Sequence, residues 1–201
     1  MKNDTPPKLI TDILEHLVSA SYIKSTDVPN INLYMDQVTT FMEKELSYSK
    51  REDSDKILTK TMINNYAKNN LLPSPEKKKY SREQILILVL IYYLKNVLAI
   101  RDIDRVLSLV TSKYYHSESS LSMADIYDEV IKTEKNAKES WHQSILDTWK
   151  QSSSSFEGVG DEDSDDLQLF SFICALSLDI FNKKLLLEKL IDQLPALDER
   201  K

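Results

Sequence analysis

The sequence predicts an all-α protein with room for one small β wing. Three observations predict it. Apolar residues recur at helical spacing through most of the 201 residues. Runs that alternate apolar and polar, as half-buried strands do, are scarce. Glycine, the residue that most weakens a helix interior short of proline, occurs only as Gly158 and Gly160. The composition, 41% hydrophobic and 29% charged, is globular, and the length suits one domain with an extension or two small domains.

The elements follow in order. Leu9, Ile10, Ile13, Leu14, Leu17 and Val18 mark one face of a first helix, with Thr5 as its cap and Pro6-Pro7 in its first turn. Val28 to Asn32, which contains Pro29, is a connector. Val38, Phe41, Met42 and Leu46 mark a second helix over roughly Leu33 to Leu46, and Tyr48 to Lys56 is a charged loop. A third helix spans 58–69. Leu58, Met62, Ile63 and Tyr66 share its inward face, and Lys60, Thr61, Asn64, Asn65 and Lys68 its outward face. Thr59 or Thr61 caps it, Asn70 suits the left-handed position after its end, and Leu71-Leu72-Pro73 stops it. Pro73 to Tyr80 is a proline-punctuated basic loop carrying Lys77, Lys78 and Lys79. Ser81 to Gln84 forms a capping box for an apolar helix through about Leu98. A short helix opens at Arg101-Asp102 with Ile103, Val106, Leu107 and Val110 inward.

Ser122 to Trp149 is helical by spacing, with Trp141 and Trp149 on one face, where core is the expectation. Gln151 to Asp166 is rich in Ser, Gly and Asp and reads as a linker. Leu167 to Leu194 is apolar on nearly all sides. The chain therefore divides into residues 1–113, with a core at 31–110, and residues 114–201, with an acidic linker at about 151–166.

The totals exclude several classes. Cys174 is the one cysteine, so no intramolecular disulfide forms, and its apolar setting predicts a buried, inert thiol in a reducing compartment. Asp12, Glu15 and His16 interrupt the apolar positions of the first twenty residues, unlike a secretory signal. The apolar run Leu167 to Phe181 falls short of the roughly 20 residues that span a bilayer and contains Gln168 and Asp179, so it is expected as a buried helix of a soluble, cytoplasmic protein. Without further glycines there is no phosphate-cradling loop. His16, His116 and His142 show no metal-site spacing, no Gly-x-Ser-x-Gly occurs, and Asp161–Asp166 lacks the ligand spacing of a calcium loop. Tyr114-Tyr115-His116 suits packing at a helix end better than a pocket. No enzyme, metal or cofactor is expected.

Charge is distributed unevenly. The net charge is −6, and residues 157–201 alone carry −6, leaving the first 156 balanced. Lys50 to Arg82 holds nine bases against four acids. Such a segment can hold a polyanion while the rest of the chain repels it. A polar helix with Asn and Lys outward fits the major groove, where Asn reads adenine and Lys reaches guanine or phosphate. Lys77, Lys78, Lys79 and Arg82 would then contact the backbone, which positions and does not specify. Tyr66 would pack at the helix end or touch a phosphate.

The order of these parts resembles a known domain. Ile63 to Pro73, with its Tyr66 and its Leu71-Leu72-x exit, then Tyr80-Ser81, Leu94-Lys95 and Ile100 to Leu107, resemble the winged helix-turn-helix of MerR-like regulators. Ile31 to Leu107 looks like a domain family of unknown function from Gram-positive bacteria that carries this unit. The resemblance implies a DNA-binding transcriptional regulator that dimerises on double-stranded DNA through its C-terminal helices. Asn64 stands where those regulators carry arginine and Asn70 where they carry glycine, and the cysteine ligands of their metal-sensing members are absent. The alternative is a helical protein-interaction module with a degenerate helix-turn-helix and no DNA binding.

Overall fold

The computed structural model describes residues 6–156 and 161–195, and among them the chain forms seven α-helices and one two-stranded sheet. They are α1 (Lys8–Ser19), β1 (Leu33–Tyr34), α2 (Met35–Leu46), α3 (Lys60–Lys68), β2 (Lys79–Tyr80), α4 (Arg82–Leu94), α5 (Ile100–Tyr114), α6 (Met123–Ser153) and α7 (Asp161–Asp192). The predominance of helix agrees with the sequence. The expected cap Thr5 and both glycines lie outside the described residues.

The chain divides into two units. One contains Tyr22–Ile131 with the residues from Glu188 onward, and the other joins the residues up to Ser21 to Lys132–Leu187.

The larger unit is built around α4, whose Ile85 to Val89, Ile91 and Tyr92 are all buried. A helix buried all round needs a firm start, because its first N–H groups have no intrahelical partner. Ser81 supplies it: the Gln84 amide donates to Ser81 Oγ (3.3 Å) and the Ser81 amide to Gln84 Oε1 (2.7 Å). Gln84 is itself buried, and its Nε2 donates to the carbonyls of Pro73 and Ser74. One side chain thus closes the capping box and ties α4 to the exit of α3, leaving no buried polar atom to waste. Around α4 pack Val38, Met42 and Leu46 of α2, Ile63 and Tyr66 of α3, Ile103 and Leu107 of α5, and Met123 and Tyr127 of α6. The Tyr127 hydroxyl donates to the Ile23 carbonyl (2.6 Å).

The smaller unit has a core of Ile10 and Leu14 from α1, Trp149 from α6 and Phe172 from α7. Trp149 and Phe172 meet edge to face at 5.3 Å, a favoured aromatic geometry. Lys138 donates to the carbonyls of Val18 and Ala20 at the end of α1, satisfying acceptors that the helix leaves open.

Several expectations are corrected. Leu33 and Tyr34 form a strand and not the first turn of α2. The third helix runs Lys60–Lys68, so Leu58 precedes it, though Leu58 is buried as expected. Both ends of the 151–166 stretch are helical: Gln151 to Ser153 close α6, and Asp161 to Asp166 open α7, where acids suit the positive end of the helix dipole. Trp149 is core, but Trp141 is exposed, since the core of this unit does not reach that far along α6. The expected buried helix over Leu167 to Phe181 is one-sided: Phe172 is buried, while Phe170, Ile173, Leu178, Ile180 and Phe181 are exposed and Cys174 is half-buried. Among the described residues, α1 and α6 share a core with α7 in this unit, packing against the face that carries Phe172 and Leu176.

Candidate nucleic-acid interface

α3 is short, and both of its ends are closed by local chemistry. Thr59 Oγ1 accepts from the Met62 amide (3.2 Å). At the other end Asn70 sits at φ 59°, the Leu71 amide donates back to the Tyr66 carbonyl (2.9 Å) and the Asn70 amide to that of Ala67 (3.2 Å). This is a Schellman closure with asparagine in the left-handed position. Leu71 and Tyr66 are both buried, as the hydrophobic partner contact of that motif requires.

The closure sets the two faces of α3. Ile63 and Tyr66 are buried and Met62 is half-buried, whereas Lys60, Thr61, Asn64, Asn65 and Lys68 are all exposed. Tyr66 therefore packs inward, and burial raises its hydroxyl above the ordinary tyrosine pKa. Asn65 keeps its side chain outward while its carbonyl accepts from Asn69 Nδ2 (2.7 Å).

The basic loop ends in a hairpin. Glu76 bridges Lys79, the Lys79 amide donates to the Glu76 carbonyl (2.8 Å), and Lys77 and Lys78 both have positive φ, 48° and 64°. Two positive φ angles in a two-residue loop are the mark of a type I′ turn, which matches the twist of paired strands. β2 then pairs antiparallel with β1, Leu33 against Tyr80 and Tyr34 against Lys79. Lys77 and Lys78 are exposed at the turn, and Lys79 Nζ lies 4.9 Å from the centre of the Tyr34 ring.

Lys60 and Lys79 meet neighbouring residues. Lys60 forms a salt bridge with Asp36 in the first turn of α2, and Lys79 stacks on Tyr34, two residues earlier in the chain. The β1–α2 junction thus brings the start of α3 and the lysine turn within side-chain reach of one point. Sequence reasoning missed both Tyr34 and Asp36, because neither carries a positive charge or belongs to the polar helix.

Two of the nine bases in Lys50–Arg82 are committed elsewhere. The Arg82 guanidinium donates to the Ser25 carbonyl from Nε (3.2 Å) and Nη2 (2.7 Å), and Ser25 is held in turn by Asp128. Lys50 is paired with Glu43, whose carboxyl also accepts from the Ile57 amide (3.3 Å). The Lys50 contact, aided by that amide, holds the Glu43 carboxyl below its ordinary pKa. An open groove beside this pair is lined by Thr39, Thr40, Glu43, Lys44, Lys56 and Leu58, adding Lys44, which lies outside the basic segment.

Among the described residues no group of His, Cys, Asp and Glu is arranged to hold a metal, and no helix is long and apolar enough to cross a membrane. Tyr115 and His116 stack at 4.3 Å past the end of α5.

The fold and this surface define a mostly helical domain that presents a polar helix beside a basic β-turn. The chain belongs to the family described as a domain of unknown function, DUF1836, whose model matches residues 23–130. That match coincides within one residue at each end with the continuous part of the larger unit, Tyr22–Ile131. No curated protein and no solved structure matches the chain.

Proposed function

We propose that this protein is a cytoplasmic transcriptional regulator that binds double-stranded DNA through a MerR-like winged helix-turn-helix. In this reading α3 enters the major groove with Lys60, Thr61, Asn64, Asn65 and Lys68, and the turn at Lys77, Lys78 and Lys79 rests on the phosphate backbone. One observation carries the reading: Lys60 and Lys79 both reach the β1–α2 junction, at Asp36 and Tyr34, so helix and turn can engage one duplex together. Arg82 is left out of the contact set, since its guanidinium is committed to Ser25. The C-terminal helices dimerise the protein, giving a two-fold DNA site.

The test is binding of the full chain to mixed-sequence duplex DNA across a salt series. About five phosphate contacts per chain give a log–log slope of roughly −4 to −5 per chain. Absence of binding at low salt overturns the reading.

The second reading, a protein-interaction module that does not bind DNA, draws on the same salt bridge. Asp36 places a carboxylate beside Lys60, where a phosphate would have to stand. Under that reading, removing Asp36 changes nothing in a DNA-binding assay.

A further inference from the structure

The outward face of α3 is not uniform. Met62, Ile63 and Tyr66 share one side of the helix, and Ile63 and Tyr66 are buried there. At 100° per residue, Lys68, Asn64 and Thr61 lie within about 35° of the opposite direction, and Lys60 and Asn65 stand about 70° to either side of it. All of these outward residues are exposed. A base edge approaching the helix head-on therefore meets Asn64 and Thr61 before Lys60 or Asn65.

The two lysines are set apart from the bases. Lys60 stands on one flank, where Asp36 of α2 holds its ammonium. Lys68 lies in the last turn of the helix, about 10 Å along the axis from Thr61. In a helix-turn-helix the groove-bound helix meets base edges with its N-terminal residues. Lys68 then falls level with the phosphates, and Thr61 and Asn64 fall level with the bases.

The chemistry of these two residues is selective. A carboxamide carries a donor and an acceptor side by side. Adenine offers their complement in the major groove, N7 as acceptor and the N6 amino group as donor, whereas guanine offers two acceptors, N7 and O6. Asn64 can bond adenine twice and guanine once, with its oxygen then facing a guanine acceptor. A lysine or arginine at this position, with donors alone, would reverse the choice. Thr61 stands about 4.5 Å before Asn64 along the axis, close to one base-pair step of about 3.4 Å. Its methyl group suits the C5 methyl of thymine.

We propose that Asn64 reads an adenine through N6 and N7 and that Thr61 packs on a neighbouring thymine methyl, so that the protein selects A·T pairs in the major groove. This selection rests on the DNA-binding reading and adds to it the bases chosen.

The experiment measures binding of the full-length chain to labelled duplexes of equal length by fluorescence anisotropy: alternating A·T, alternating G·C, and alternating A·T with 7-deaza-adenine. An alternating duplex offers adenine in every register, so no site need be known. The 7-deaza base lacks the N7 acceptor but keeps the pairing and the minor groove, which separates base reading from recognition of duplex shape. The A·T duplex should bind at least about fivefold tighter than the G·C duplex, and 7-deaza-adenine should remove most of that margin. Asn64→Ala should bind all three duplexes within about twofold of one another and keep the salt slope of the unaltered chain, because the lost contact is to a base. Uracil in place of thymine should weaken the unaltered chain and leave Thr61→Ser indifferent. Equal affinity for A·T and G·C, or indifference to 7-deaza-adenine, overturns the proposal while DNA binding stands. Discrimination that survives Asn64→Ala overturns it as well. No binding to any duplex at low salt overturns the DNA-binding reading and the proposal with it. Should Asn64→Ala fail to fold, the three duplexes still decide it.

Discussion

Lys60 of α3 is bridged to Asp36 of α2 although both side chains are largely exposed. Exposed pairs of this kind contribute about 0–1 kcal/mol, so stability depends little on the contact. Its effect on an incoming polyanion is larger, because Asp36 both neutralises Lys60 and repels phosphate. Asp36→Asn should leave the melting temperature nearly unchanged and tighten binding to duplex DNA about three- to tenfold at low salt. Fluorescence anisotropy with labelled duplex checks this, and the gain should shrink as salt rises.

The turn lysines contribute to a different quantity. Lys77 and Lys78 are exposed at the hairpin tip, without a role in the core. Replacing both by alanine should make the salt dependence shallower by about 2 in log–log slope and weaken binding to all sequences alike. An unaltered slope would remove the turn from the interface.

Arg82 separates stability from binding. Its guanidinium satisfies the carbonyl of buried Ser25, and losing a charged donor there strands an acceptor. Arg82→Ala should cost about 1–3 kcal/mol in denaturant unfolding while leaving the DNA salt slope where it was. A slope change without destabilisation would return Arg82 to the interface.

Glu43 gives the protein an acid-sensitive joint. Its folded pKa lies below the ordinary carboxylate value, chiefly through Lys50. The stabilisation is therefore full above the unfolded pKa, near pH 5 and higher, and fades as pH falls through the carboxylate range below about 4. Glu43→Gln should lower stability at neutral pH and flatten the acid limb of a stability–pH curve measured by chemical denaturation.

What was legible in the sequence was local. The cap at Thr59, the left-handed Asn70 and the two faces of α3 each depend on residues within one or two turns, and all three are found. The capping box at Ser81 was legible for the same reason, but the reach of Gln84 to Pro73 and Ser74 was not. Distant partners were hidden. Arg82 meets a carbonyl 57 positions away, and Lys79 meets Tyr34 only because β2 pairs with β1. Leu33 and Tyr34 also fit an apolar helical face, so spacing alone could not reveal that they pair as a strand. For α7, composition reported how apolar the helix is but not which of its sides is covered. By composition, the exposed Leu178 and Phe181 are indistinguishable from core.

The hairpin tip places lysine at two successive positive-φ positions, where asparagine followed by glycine would fit without crowding. Each lysine there gives up conformational energy of the order of 1 kcal/mol. A laboratory selection for heat resistance alone should therefore strip the tip first, trading Lys77-Lys78 for Asn-Gly and returning a hardier protein with a weaker grip on polyanions. Selection that also demanded grip would keep the lysines and gather its gains elsewhere in the chain.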